Sequence, residues 1–182
     1  MSICVFPGTF NPIHEGHIKM AEYALDKYGF EKIIFVPSYL PPHKIVDKNL
    51  SSHRYNMVKL AIKSNPRFEI SDIEYLSETK SYSLLTVKKI IEQYEISSRL
   101  NFIIGTDAFA KIDTWYQAEE LKKLVHFLVF PRRGSVINDA VGWDYEIVDM
   151  EFVDISSTEI RDGKYVNRIV EGYIEKNGLY KI

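Results

Sequence analysis

Apolar residues gather in four short runs, at 3–6, 33–36, 102–104 and 125–130, such as Ile33-Ile34-Phe35-Val36. Their apolarity is continuous rather than alternating, which predicts strands of a parallel sheet covered on both faces. Between the runs the apolar positions return every three or four residues, as on one face of a helix. Ile18, Ala21, Leu25 and Tyr28 make the first such stripe. Met57, Leu60 and Ala61 follow a Ser51-Ser52 start, and Leu84, Val87, Ile91 and Tyr94 share a face further on. Val166, Ile169, Val170 and Tyr173 mark a last helix that stops near Gly178, a residue suited to a helix C-terminus. Strand–helix alternation of this kind predicts an α/β fold with a Rossmann-like, doubly wound, mostly parallel sheet. No repeat or linker-like stretch interrupts it, so one domain is expected over 1–182.

Composition narrows the picture only a little. Hydrophobic content of 46% and charged content of 26% are ordinary for a globular protein. A formal net charge of -2 argues against a protein that binds nucleic acid through bulk charge. Anionic ligands must then be met locally, and Lys44, Arg132, Arg133 and Arg161 are candidates. A single cysteine allows no internal disulfide and suits a reducing cytoplasm. A secretory signal and a membrane span are not expected, because the chain shows neither pattern.

The chemistry concentrates where the first strand run meets the first helical stripe. The stretch Phe6-Pro7-Gly8-Thr9-Phe10-Asn11-Pro12-Ile13-His14-Glu15-Gly16-His17 gives the order strand, glycine-containing turn, helix. Unpaired N–H groups at such a helix start face an anion, and glycine lets a ligand approach the backbone. His14 and His17 can donate hydrogen bonds to a phosphate and, when protonated, add positive charge. Two plainer readings stand beside this one: metal ligation at three-residue spacing, or helix-start histidines with no role. A zinc site wants at least three protein ligands, and no further His or Asp lies nearby.

The run Gly8-Thr9-Phe10-x-Pro12-x-His14-x-Gly16-His17 resembles the G-x-F-x-P-x-H-x-G-H signature of the nucleotidyltransferase superfamily. Near the other end, Ile155-Ser156-Ser157-Thr158-Glu159-Ile160-Arg161 resembles the I-S-S-T-x-I-R signature of its nicotinamide and nicotinate mononucleotide adenylyltransferases. Ser156 and Glu159 also satisfy a capping-box pattern, so the bland reading of this second run is a well-made helix start. The likeness extends over essentially the whole chain. It implies a fold of the nucleotidyltransferase type and an ATP site that includes Gly8, Thr9, Phe10 and Gly16, with His14, His17 and Arg161 in catalysis. Ser156, Ser157 and Thr158 would meet ATP phosphates.

The same resemblance places Gly105 and Asp107 on the nucleotide, with the carboxylate near the ribose. The plain alternative is a strand end followed by a helix cap. Trp115-Tyr116 would lie against the pyridine ring of the mononucleotide, where an unexamined Trp is more often core. Trp143 has no counterpart and reads as structural. Pro41-Pro42-His43-Lys44 looks like the family's P-x-H-K stretch, offering Lys44 and His43 to the acceptor, although a solvated loop lysine is the ordinary case. Ser81-Tyr82-Ser83-Leu84-Leu85-Thr86 falls where relatives show S-Y-T-x-D-T, which nominates Ser83 and Thr86. Here Ser83 replaces Thr, Leu85 replaces Asp, and Leu76-Ser77-Glu78-Thr79-Lys80 replaces an Arg-Gly-containing lead-in. Arg132-Arg133 after a strand would suit ATP or solvent about equally.

The implied activity is adenylyl transfer from ATP to nicotinate mononucleotide, giving deamido-NAD and pyrophosphate, with Mg2+ accompanying ATP. The rivals are a dual-specificity or nicotinamide mononucleotide enzyme, a pantetheine-phosphate adenylyltransferase, a cytidylyltransferase, and a nucleotide sensor without turnover. Pantetheine-phosphate adenylyltransferases usually carry Thr where His14 stands. Small-molecule substrates are expected as partners rather than nucleic acid or membrane, and a homo-oligomer is compatible with the sequence.

Overall fold

The computed structural model describes residues 2–77, 80–132, 140–150 and 167–180. Six strands form one sheet: β1 Ile3–Gly8, β2 Lys32–Pro37, β3 Phe68–Ile70, β4 Leu100–Gly105, β5 Val125–Phe130 and β6 Tyr145–Ile147. Their order is β3-β2-β1-β4-β5-β6 and every pairing is parallel. Among the described residues six α-helices accompany them: α1 Glu15–Tyr28, α2 Ser51–Ile62, α3 Ser83–Gln93, α4 Thr106–Phe109, α5 Ala118–Leu121 and α6 Arg168–Asn177. The expected α/β architecture is present. No helix among the described residues is long and apolar enough to cross a membrane.

Side chains on successive strand residues point to opposite faces, so each apolar run feeds two cores. Cys4 and Phe6 of β1, with Ile33 and Phe35 of β2, pack beneath α1, α2 and α6. Ile3 and Val5, with Ile34 and Val36, enter the second core with Leu84, Val87 and Ile90 of α3. This two-sided burial explains why the strands read as continuous apolar runs.

Chain order reverses between β1 and β4, which are neighbours in the sheet. That switch point leaves a crevice beyond the strand C-terminal ends. The turns after Gly8 and Gly105 open onto it.

Two strands were not anticipated, and two helical stripes differ in detail. β3 and β6 carry no apolar run; each is a three-residue edge strand with a glutamate in the middle, Glu69 or Glu146. Ile169 is 53% exposed, and the buried stripe of α6 runs through Val170 and Ile174 instead; Val166 lies outside the described residues. In α2 the buried face is Arg54, Met57, Val58 and Ala61, with Leu60 only half-buried. Trp143 is structural, as expected: it is buried, and its indole N–H donates to Asp113 at 2.9 Å.

Candidate active site

The motif at the β1–α1 junction folds into a cap built from imidazoles. His14 is the N-cap of α1, with extended backbone angles, and its Nδ1 accepts from the Gly16 N–H at 3.0 Å. His17, at the third helical position, returns the contact by accepting the His14 N–H at Nδ1, 3.1 Å away. A capping box ordinarily uses Ser or Thr with Glu or Gln. Here two histidines make the same reciprocal pair, and their rings stack with centroids 3.9 Å apart.

This geometry settles the tautomers. A ring nitrogen that accepts an N–H carries no proton, so in both rings the proton sits on Nε2, on the edge turned away from the helix backbone. His17 also has its pKa held well below the ordinary imidazole range, first by burial and then by His14 and the Lys44 ammonium. It therefore serves as a neutral hydrogen-bond donor, and adds no charge. The unfolded ring takes a proton below about pH 6.5 while the folded one resists it, so this contribution to stability is present above that pH and lost below it. We expect ring-nitrogen NMR at pH 6 to find His17 neutral with its proton on Nε2. A midpoint at or above 6.5 would contradict the cap.

Gly8 is where the structure changes the reading of a motif residue. A Cβ there would come within 2.9 Å of the Phe10 ring, so the missing side chain makes room for protein. Phe10 is buried, has φ 48, and sets its ring edge-on to His17 at 5.0 Å. A left-handed backbone at a non-glycine residue costs on the order of 1–3 kcal/mol and persists only where its surroundings hold it. The buried ring, wedged against Phe6, Phe35 and His17, does so.

Across the crevice, Gly105 ends β4 and caps α4. A Cβ on Gly105 would meet nothing within 4 Å among the described residues. Asp107 is exposed and pairs with Arg132 at 2.8 Å, while the Arg132 N–H donates to the Thr106 hydroxyl at 3.2 Å. The β4 and β5 ends are thereby joined.

The third part of the site is aromatic. Trp115, half-buried against Phe102 and Phe127, faces the His43 ring nearly in parallel, 21° between planes and 6.5 Å between centroids. The two near-parallel rings offer aromatic faces on which a flat ring could stack. Beside it, Tyr116 lies against Tyr82, the N-cap residue of α3, at 4.6 Å. Tyr82 supplies no side-chain cap, and its carbonyl takes the Leu85 and Thr86 N–H groups. That leaves Ser83 at an α3 N-terminus suited to a carboxylate. Thr86 is placed otherwise: it is buried, and its hydroxyl donates to Glu74 at 2.7 Å. Ser156, Ser157, Thr158, Arg161 and Arg133 lie outside the described residues.

Residues 5–163 match the cytidylyltransferase-like family. The chain is 39% identical to the probable nicotinate-nucleotide adenylyltransferase of Caldicellulosiruptor saccharolyticus, with all of both chains covered. It is 37% identical to that of Desulfitobacterium hafniense, over 99% of this chain and 96% of the relative. The chain belongs to the nicotinate-nucleotide adenylyltransferases. The fold is also that of Plasmodium falciparum nicotinic acid mononucleotide adenylyltransferase complexed with NaAD, with a TM-score of 0.81, 20% identity, and 98% and 97% of the two chains covered.

Within this adenylyltransferase fold, two buried charges escaped the sequence reading. Arg54 is fully buried, and its guanidinium donates to the carbonyls of Thr9 at 2.8 Å, Ser38 at 2.6 Å and Tyr39 at 3.0 Å. Glu74 is buried too, and burial pushes its carboxyl up to about 7, against the pull of the Thr86, Ser81 and Ser38 hydroxyls and Arg54. A signal for Arg54 was present. It sits three, four and seven residues before Met57, Val58 and Ala61, on the apolar stripe itself.

Proposed function

We propose that the protein transfers the adenylyl group of ATP to nicotinate mononucleotide, giving deamido-NAD and pyrophosphate. The observation that carries this reading is the juxtaposition of two sites: imidazole donors at the β1–α1 junction, and the near-parallel His43 and Trp115 rings. One suits a triphosphate and the other a pyridine.

The acceptor phosphate is ionised near neutral pH, so no general base or covalent enzyme intermediate is required. One of its oxygens attacks the α-phosphorus. The bond from that phosphorus to the bridging oxygen breaks, and pyrophosphate leaves with the electron pair. The protein's work is positioning and charge stabilisation. In this reading His14 and His17 donate through Nε2 to the phosphates, and Lys44, whose charge is felt at His17, meets the acceptor phosphate. Gly105 and Asp107 take the adenosine side. Ser156, Ser157, Thr158 and Arg161 hold the leaving pyrophosphate.

No group of three or more His, Cys, Asp or Glu that could hold a metal ion occurs among the described residues. A Mg2+ carried on the ATP phosphates would keep most of its waters, and Asp107 offers an exposed carboxylate at the end of β4. When bound, the ion neutralises charge developing on the phosphates.

Acid and amide differ at the α3 N-terminus. A nicotinate carboxylate there accepts backbone N–H groups that side-chain changes at Ser83 and Leu85 leave in place. One charged hydrogen bond is worth some 1.5–3 kcal/mol, so nicotinate mononucleotide should exceed nicotinamide mononucleotide in kcat/KM by at least about 10-fold. Trp115→Ala should raise KM for both by a similar factor, about 2- to 12-fold, because stacking does not distinguish them. Steady-state kinetics with both substrates check this. Equal efficiency on the two would make the enzyme dual-specific.

A further inference from the structure

We propose that Arg54 and Glu74 are positioning residues that set the acceptor slot against the ATP turn. The proposal rests on the activity given above. Three segments that are distant in sequence must hold one arrangement there. They are the turn after β1, the loop after β2 that carries His43 and Lys44, and the 80–86 segment that starts α3.

Arg54 reaches the first two at once. Its Nη1 bridges the Thr9 carbonyl on the ATP side and the Ser38 carbonyl on the acceptor side, while Nη2 holds the Tyr39 carbonyl. Glu74 lies on the acceptor side: its carboxylate takes the Thr86 hydroxyl at 2.7 Å, and the Ser81 and Ser38 hydroxyls act on it from nearby. Backbone contacts complete the link: Ser81 N–H donates to the Leu40 carbonyl at 2.9 Å, and Leu40 N–H to the Ser81 hydroxyl at 3.3 Å. A guanidinium this deeply buried would be costly unless its donors were met and its charge offset. Three carbonyls supply the first, and Tyr75, Tyr180 and Glu74 offset part of the cost of burial. Among the described residues, buried Arg54 Nε and Glu74 Oε1 have no hydrogen-bond partner.

The two residues therefore make different predictions. Glu74→Gln should raise KM for nicotinate mononucleotide about 10-fold and leave KM for ATP within about 2-fold, since a buried charged hydrogen bond is lost on one side only. Arg54→Lys keeps the charge but loses the fork that joins the two sides. It should lower kcat at least about 10-fold with a small change in Tm, whereas Arg54→Met should also lower Tm. Backbone hydrogen exchange reads the same clamp without turnover. It should rise at 38–44 and 80–86 in Glu74→Gln, and at 8–11 and 38–40 in Arg54→Met.

Equal changes in both KM values for Glu74→Gln would overturn the proposal. So would activity that simply tracks the folded fraction, or exchange unchanged in those segments. If the wild-type chain forms no product from nicotinate mononucleotide, the proposed reaction falls, and hydrogen exchange alone decides the clamp.

Discussion

Replacing His17 by alanine should lower turnover about 100- to 1000-fold while ATP affinity changes little. One preorganised donor to transition-state charge is worth about 3–4 kcal/mol, and His17 is held ready for that role. Its Nδ1 is committed to the His14 N–H, its ring is fixed by Phe10 and Phe6, and its proton is on the outer edge. The same substitution removes half of the helix cap, which costs about 1 kcal/mol of stability. His17→Gln separates the two effects. Glutamine is a normal capping-box partner at this position, so it should restore the melting temperature but not turnover. Near-normal turnover in folded His17→Ala would remove this histidine from the mechanism.

Arg161→Ala should cost about 1.5–3 kcal/mol in transition-state stabilisation, a fall of roughly 10- to 150-fold in kcat/KM for ATP. This expectation comes from the second motif alone, in which three hydroxyl residues precede an arginine one turn after a capping box. A cap explains Ser156 and Glu159 but gives Arg161 no task. Thermal melts and ATP titrations on one sample test both halves of the statement. An unchanged melt with weakened ATP use is the expected pair. Unchanged turnover and ATP binding would leave the motif a plain helix start.

How much of this was legible in the sequence depended on whether a residue acts through its neighbours or across the fold. The four central strands were, because burial on both faces writes an uninterrupted apolar run. β3 and β6 were not, since a three-residue edge strand with a central glutamate has no such run. The β1–α1 motif identified His14 and His17 as a pair. Their reciprocal cap, and hence the neutral Nε2 tautomer, follows only from the distances between them. Gly8 reads in the motif as room for a ligand, whereas the Cβ it lacks would meet the Phe10 ring. Thr86 was placed at the ligand because of a motif, whereas the fold turns its hydroxyl to Glu74. Arg54 and Glu74 act through carbonyls and hydroxyls from several separate segments, and spacing along one chain cannot show such convergence.

The most direct test of the account is pyrophosphate release from ATP by the purified chain, measured with and without nicotinate mononucleotide. Pyrophosphate and deamido-NAD should form in equal amounts, and only when the mononucleotide is present. Pyrophosphate release that does not depend on it, or none with both substrates supplied, would contradict the account.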